Sequence, residues 1–354
     1  MTKSKLISAT FLHDLSNLPT AYFALVMATG IVSIASYNLN FILIAHLLLY
    51  FNIAAYLILT LLYILRMVLY PNNFMADSKD LAKSPGFLTY VAGTCVLGSQ
   101  FIIISNNYTI ASLLFYIGTV AWLFLIYAVF TVFTVKKEKP PINEAISGVW
   151  LLIIVSTQSV SVLASQLTGH IPFNTEVLLF FLLVMFFCGC MFYIIIITLI
   201  IYRMSFFNMR AEEFAPAYWI NMGAVAISTL AGSLLIQNAQ NWSFINEILP
   251  FLKGFTLFFW AIGSWWIPLI VILGIWRHVF KQLPLTYHPQ YWGMIFPMGM
   301  YTACTIKLSQ ALDLTFLMVI PSFFIYIALF AWFSAAVGMF YLIGKDYLFA
   351  KELR

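Results

Sequence analysis

The chain has 354 residues, of which 63% are hydrophobic, 18% aromatic and only 8% charged, with a formal net charge of +5. A soluble domain carries about a quarter of its residues as charge to cover its surface, so a water-soluble enzyme or nucleic-acid-binding protein is excluded. Apolar runs exceed the ~18–20 residues that cross a bilayer, and the short alternating segments of a membrane barrel do not occur, which predicts an all-α polytopic membrane protein in a lipid bilayer.

In chain order, a charged amphipathic leader (1–18) comes first, suited to lying on the cytoplasmic membrane surface, with no cleavable signal peptide in evidence. Ten spans are predicted near 19–38, 41–69, 85–104, 109–135, 144–167, 175–204, 217–238, 251–280, 291–311 and 316–343. They form one transport domain, 19–343, followed by a short cytoplasmic tail, 344–354. The even spans are longer and more aromatic, as in "LLFYIGTVAWLFLIYAVFTVF". With the N-terminus inside, 15 of the 17 Lys and Arg fall on the inner side. The positive-inside rule then puts both termini in the cytoplasm and the chain in a cytoplasmic (inner) membrane. The same bias explains most of the net charge without an anionic partner. Lys253 and Lys307 escape it, both toward the outer ends of their spans.

The odd spans repeat one another in composition. "YFALVMATGIVSIAS", "FLTYVAGTCVLGSQF", "GVWLLIIVSTQSVSVLAS", "YWINMGAVAISTLAGS" and "YWGMIFPMGMYTACTIKLS" mostly begin near an aromatic residue and run into Gly, Ala, Ser and Thr. Each odd–even pair reads as a helical hairpin, repeated five times. Small residues in membrane helices serve close packing. Five similar inner helices ringed by bulky outer ones would also enclose an axis lined by hydroxyls and backbone. Candidates for that lining are Thr29, Gly30 and Ser33 in the first span, and Thr94 and Ser99 in the third. Ser156 and Ser159 are candidates in the fifth span, Ser228, Thr229 and Ser233 in the seventh, and Thr302 and Thr305 in the ninth. For Thr29, Gly30 and Ser33, lining and close packing are both open.

The missing chemistry is informative. All 12 acidic residues fall in loops or at span ends, which disfavours cation conduction and a carboxylate proton relay. His46 is the one histidine well within a span, so paired haem ligands are not available. Cys95, Cys188, Cys190 and Cys304 lie in apolar runs with no disulfide or metal spacing. No HExxH, P-loop or Ser-based catalytic pairing occurs. No cofactor and no enzymatic activity is expected.

"LPTAYFALVMATGIVS" (18–33) and "YWGMIFPMG" (291–299) resemble the first and ninth helices of the tellurite-resistance/dicarboxylate transporter family. That family includes plant slow-type anion channels, bacterial tellurite-resistance proteins, and fungal malate and sulfite transporters. The resemblance implies a homotrimer with one pore per protomer along a quasi-five-fold axis, and a phenylalanine of the ninth helix plugging each pore. On this chain that gate is Phe296. Phe296, Met300, Ala303 and Lys307 share one face of a helix, with Lys307 about 16 Å further outward at ~1.5 Å per residue. Lys307 either draws small anions to the mouth or snorkels to the interface; Lys253 is the other candidate for attraction. Family members often have proline kinks in several inner helices; here Pro297 is the only proline deep in an odd span, and Gly30, Gly93, Gly98, Gly223 and Gly232 are candidates to substitute for the others. The resulting expectation is transport of small anions through a Phe-gated pore. The alternatives are a proton-coupled C4-dicarboxylate or a sulfite/tellurite-related carrier, and, more remotely, a membrane-embedded enzyme. No inverted two-fold repeat appears, and a five-fold repeat favours a pore over rocking halves.

Overall fold

The computed structural model describes residues 3–345. A leader helix, Lys3–Ser16, precedes five helical hairpins. The first members are α1 (Ala24–Asn38), α3 (Thr89–Ser105), α5 (Leu152–Gln166), α7 (Ile220–Gln237) and α9 (Tyr291–Leu312). Their partners are α2 (Ile42–Leu69), α4 (Tyr108–Val135), α6 (Thr175–Phe206), α8 (Leu249–Ile275) and α10 (Val319–Ile343). No strand occurs among the described residues.

The expected ten spans are not reproduced as such, because only eight helical stretches among the described residues are long and apolar enough to cross a bilayer. At 15 residues α1 is too short. The 22-residue α9 is long enough, but Gly, Thr, Ser, Lys307 and Gln310 dilute its apolar character. Both are inner helices, shielded by neighbours, so neither needs the full hydrophobic length that a lipid-facing helix must have.

The odd helices close on themselves. Helix α1 packs on α3, α3 on α5, α5 on α7, α7 on α9, and α9 returns to α1. Each even helix packs on its own hairpin partner and also leans on the next odd helix round the ring. Burial follows this division. In the stretches containing α3, α5 and α7, 83–94% of the most apolar 18-residue window is buried, against 22–50% for the five even helices. Bulk on the even helices therefore faces outward, and small residues face the seams.

Glycine marks every seam of the ring. A methyl group at Gly93 would meet Val26 (α1–α3), at Gly98 Leu163 (α3–α5), at Gly223 Pro297 (α7–α9) and at Gly299 Ile31 and Val32 (α9–α1). At the fifth seam Gly148, just before α5, lies against the Ala217 carbonyl just before α7. With no hydrophobic drive between helices in lipid, such close approach supplies the packing energy. These glycines act as points of close contact between the helices.

A second device ties the outer ring to the inner one. Every even helix sends an aromatic hydrogen-bond donor to the following odd helix. Tyr56 Oη lies 3.1 Å from Thr94 Oγ1, and Trp122 Nε1 donates to Thr157 Oγ1 at 2.9 Å. Tyr193 Oη donates to the Asn221 carbonyl at 3.3 Å. Trp260 Nε1 donates to Thr305 Oγ1 at 3.0 Å, and Trp332 Nε1 to Thr29 Oγ1 at 2.9 Å. Buried indole and phenol groups need a polar partner; here that partner is on the inner ring, in the amino-terminal half of α1, α3, α5 and α7 and in the carboxyl-terminal half of α9.

Candidate functional site

The odd helices run parallel, so their amino ends meet at one end of the ring and their carboxyl ends at the other. Each end holds a cavity to which all five odd helices contribute. The amino-end cavity measures about 320 Å³ and takes Ala24, Thr89, Leu152, Ile220 and Gly293 from the first turns of α1, α3, α5, α7 and α9. Five helix amino termini thus point their partial positive charge, roughly half an elementary charge each, toward one space.

Charged groups rim this cavity. Lys83 and His288 line it, together with Asp77. Asp77 is already engaged, accepting from Arg66 Nη2 at 2.5 Å and from Lys83 Nζ at 2.8 Å. Burial alone would raise its carboxyl, but hydrogen bonds and charge from Arg66 and Lys83 together hold it below the usual range. Arg66 itself is buried, and its Nε donates to the Ser16 carbonyl at 3.2 Å, which anchors the leader helix beside the cavity. His288 belongs to the loop entering α9. Its Nδ1 accepts from the Gln290 amide at 3.2 Å, and burial disfavours its charged form.

The carboxyl-end cavity is far smaller, about 20 Å³. Its walls are mainly apolar, with Ile31 and Ile34 from α1, Ile227 and Leu230 from α7, and Met300 and Ala303 from α9. The polar groups in it are Ser99 from α3, Ser159 from α5, Asn38 and Gln166 at the helix ends, and Lys307 from α9.

Phe296 lies on α9 between residues that line the two cavities. Gly293, three residues before it, lines the amino-end cavity, and Met300, four residues after it, lines the other. Helical spacing of three and four keeps all three on one face. The Phe296 side chain is fully buried, and the cavities share no lining residue. Pro297, next to it, packs on Gly223 of α7.

Of the residues expected from sequence, Ser99, Ser159, Met300, Ala303 and Lys307 are brought together at the carboxyl-end cavity. The others lie elsewhere. Thr29 and Thr94 face the outer helices through Trp332 and Tyr56. Ser33 Oγ donates to the Ala45 carbonyl of α2 at 2.7 Å. Gly30 lies against Val96, Asn52 and Gln100. Ser156, Ser228 and Ser233 donate to carbonyls of their own helices and line neither axial cavity. Lys253 is exposed on α8, in the outer ring, and touches neither. Hydroxyl content does not distinguish an axial face from a seam, whereas on α9 helical phase counted from Phe296 leads to Met300, Ala303 and Lys307. A search for hydroxyls also passes over the apolar residues of α7 that line the axis, Ile227 and Leu230. Lys83 and His288 sit in connecting segments, outside any helical phase.

A family model for voltage-dependent anion channels, SLAC1, matches residues 17–340. The chain belongs to this family. Two uncharacterized transporters of Methanocaldococcus jannaschii are similar to it, at 29% and 27% identity over 299 and 300 residues, each covering 82% of this chain and 84% of the relative. An uncharacterized membrane protein of Mycobacterium tuberculosis is 33% identical over 148 residues, 42% of this chain and 74% of its own length. This SLAC1-family chain is therefore a multi-pass membrane protein of a channel and transporter family, not an enzyme, as the absence of catalytic motifs led one to expect.

Proposed function

We propose that this protein conducts small anions along the axis of its five odd helices, that Phe296 closes this pore, and that the structure is its closed form. One observation carries the reading: two cavities at opposite ends of one five-helix ring, each walled by all five helices, with the buried Phe296 side chain between them on the same face of α9. Helix amino termini, Lys83 and Lys307 favour anions along this path, and no acidic side chain lines the carboxyl-end cavity. The positive-inside bias puts the amino-end cavity and both termini on the cytoplasmic side of an inner membrane. The transport unit is then residues 19–343, and the family resemblance adds a homotrimer with one axis per protomer.

A proton-coupled carrier of small carboxylates is the second reading, supported by the size of the amino-end cavity and by the titratable His288 on its wall. Flux into proteoliposomes separates the two. Under the pore reading, Phe296→Ala passes chloride or nitrate faster than the wild type, and reversal potentials follow the anion gradient. Unchanged flux, or flux that follows potassium, overturns it. Transport of malate that needs a proton gradient points to the carrier.

A further inference from the structure

The carboxyl-end cavity raises a question that an anion path alone does not answer. Five helix carboxyl termini converge there, and their partial negative charge opposes an anion. Lys307 is the one cationic side chain in its lining, is only partly exposed, and makes no ion pair or hydrogen bond with any described residue. Ser99 Oγ is buried, lines the same cavity, and has no hydrogen-bond partner. Buried hydroxyls almost always find one, so this orphan group marks a position where a further acceptor belongs. Ser159 differs: its hydroxyl donates to the Val155 carbonyl at 2.7 Å and is already satisfied.

Size then narrows the ligand. A space of about 20 Å³ holds one body the size of a water molecule. A halide fits after shedding its hydration shell, whereas a sulfate or a dicarboxylate does not. The walls, Ile34, Val162, Ile227, Leu230 and Met300, offer that ion nothing but exclusion of water. In such surroundings a single ammonium and one hydroxyl act more strongly than they would in solvent.

We infer that the carboxyl-end cavity is a binding site for one dehydrated halide-sized anion, held by the Lys307 ammonium and the Ser99 hydroxyl. The inference rests on the proposed anion path and adds to it a station with a size limit. The amino-end cavity, about 320 Å³, imposes no such limit. Larger anions would enter from that end and stop short of this site unless the ring widens.

The test uses the full chain in detergent with bromide as the probe. Crystals grown in sodium bromide should show an anomalous peak between Lys307 Nζ and Ser99 Oγ. Bromide should raise the melting temperature saturably at fixed ionic strength. Lys307→Met should abolish the peak and weaken the apparent bromide affinity roughly ten- to a hundredfold, the range for a hydrogen bond to a charged group. Lys307→Arg should retain both signals, which guards against a fold defect in the methionine variant. A wild-type map without the peak, a peak that persists in Lys307→Met, or displacement of bromide by equimolar malonate would each overturn the site. Flux is read separately: bromide flux with no bound bromide sinks the site and leaves the path standing. Bound bromide without any flux, even through Phe296→Ala, supports the site and sinks the path.

Discussion

Phe296 and Lys307 occupy one face of α9, the ring between two axial cavities and the ammonium beside the smaller of them. Eleven residues of helix separate them, about 16 Å at ~1.5 Å per residue. Under the proposed pore reading, one element carries both the gate and the main fixed charge of the axis. A rotation or bend of α9 would move the two together, and Pro297, seated on Gly223, supplies a point where its backbone lacks a hydrogen bond.

Truncating the ring should open the axis. Under the pore reading Phe296→Ala removes the bulky side chain between the two cavities, so anion flux should rise several-fold, with Phe296→Leu intermediate. The same change leaves a void in a closely packed layer and should cost about 3–5 kcal/mol of stability. Melting temperature and proteoliposome flux measured on the same preparations keep the two effects apart. A fall in both would mean that Phe296 is a packing residue and that the closure lies elsewhere.

Lys307 should act as a local electrostatic aid. Lys307→Ala is expected to lower chloride flux more at 10 mM than at 1 M salt, because the screening length shortens from about 30 Å to about 3 Å. Equal losses at both concentrations would assign Lys307 to packing. A loss without any change in the anion-to-cation permeability ratio would transfer selectivity to the helix amino termini at the other end.

Class and repeat were legible in the sequence, while the lining was not. The five hairpins follow from the contrast between small-residue and aromatic spans, and that contrast reappears as the division between buried odd and exposed even helices. The Phe296–Met300–Ala303–Lys307 face follows from helical spacing. The rest depends on rotation about each helix axis, which composition leaves undetermined. Thr29 and Ser99 are alike as letters, yet Thr29 accepts from Trp332 of the outer ring and Ser99 lines the axial cavity without a partner. In nearly uniform apolar helices no amphipathic pattern sets that rotation, since lipid and protein interior are equally apolar. The charged rim at the amino end was hidden for a different reason. Asp77 and Lys83 come from the connection between α2 and α3, His288 from the one between α8 and α9, and the two segments meet only through the tertiary fold.

The aromatic bridges between rings should be structural. Trp332→Phe removes the donor to Thr29, and Thr29→Val removes the acceptor and leaves the indole N–H unpaired. Each should lower stability by about 0.5–2 kcal/mol, with Thr29→Val the worse because of its orphaned donor. In a double-mutant cycle the two losses should be less than additive. Anion selectivity should stay unchanged; a shift in selectivity with Thr29→Val would return Thr29 to the axis.

His288 should make stability fall with acidity. Burial disfavours its imidazolium, so its pKa in the folded protein lies below the ordinary value of 6.5. The folded state then binds fewer protons than the unfolded state in this range. The sign follows from linkage: the contribution is intact above pH 6.5 and is lost as pH falls through the lower, folded-state value. The geometry agrees, because protonating Nδ1 removes the acceptor of the Gln290 amide, the residue immediately before α9. Asp77 and Lys83 border His288 within the amino-end cavity, and Glu212, Glu213 and Arg277 border it in a neighbouring polar cavity. The carboxylates Asp77 and Glu213 are both held below their ordinary range, so their own losses come at still lower pH. Between pH 8 and pH 5 the wild-type melting temperature should decline, and His288→Gln should flatten much of that decline. Parallel curves for the two proteins would show that His288 titrates freely and that its bond to Gln290 carries no weight in holding the start of α9.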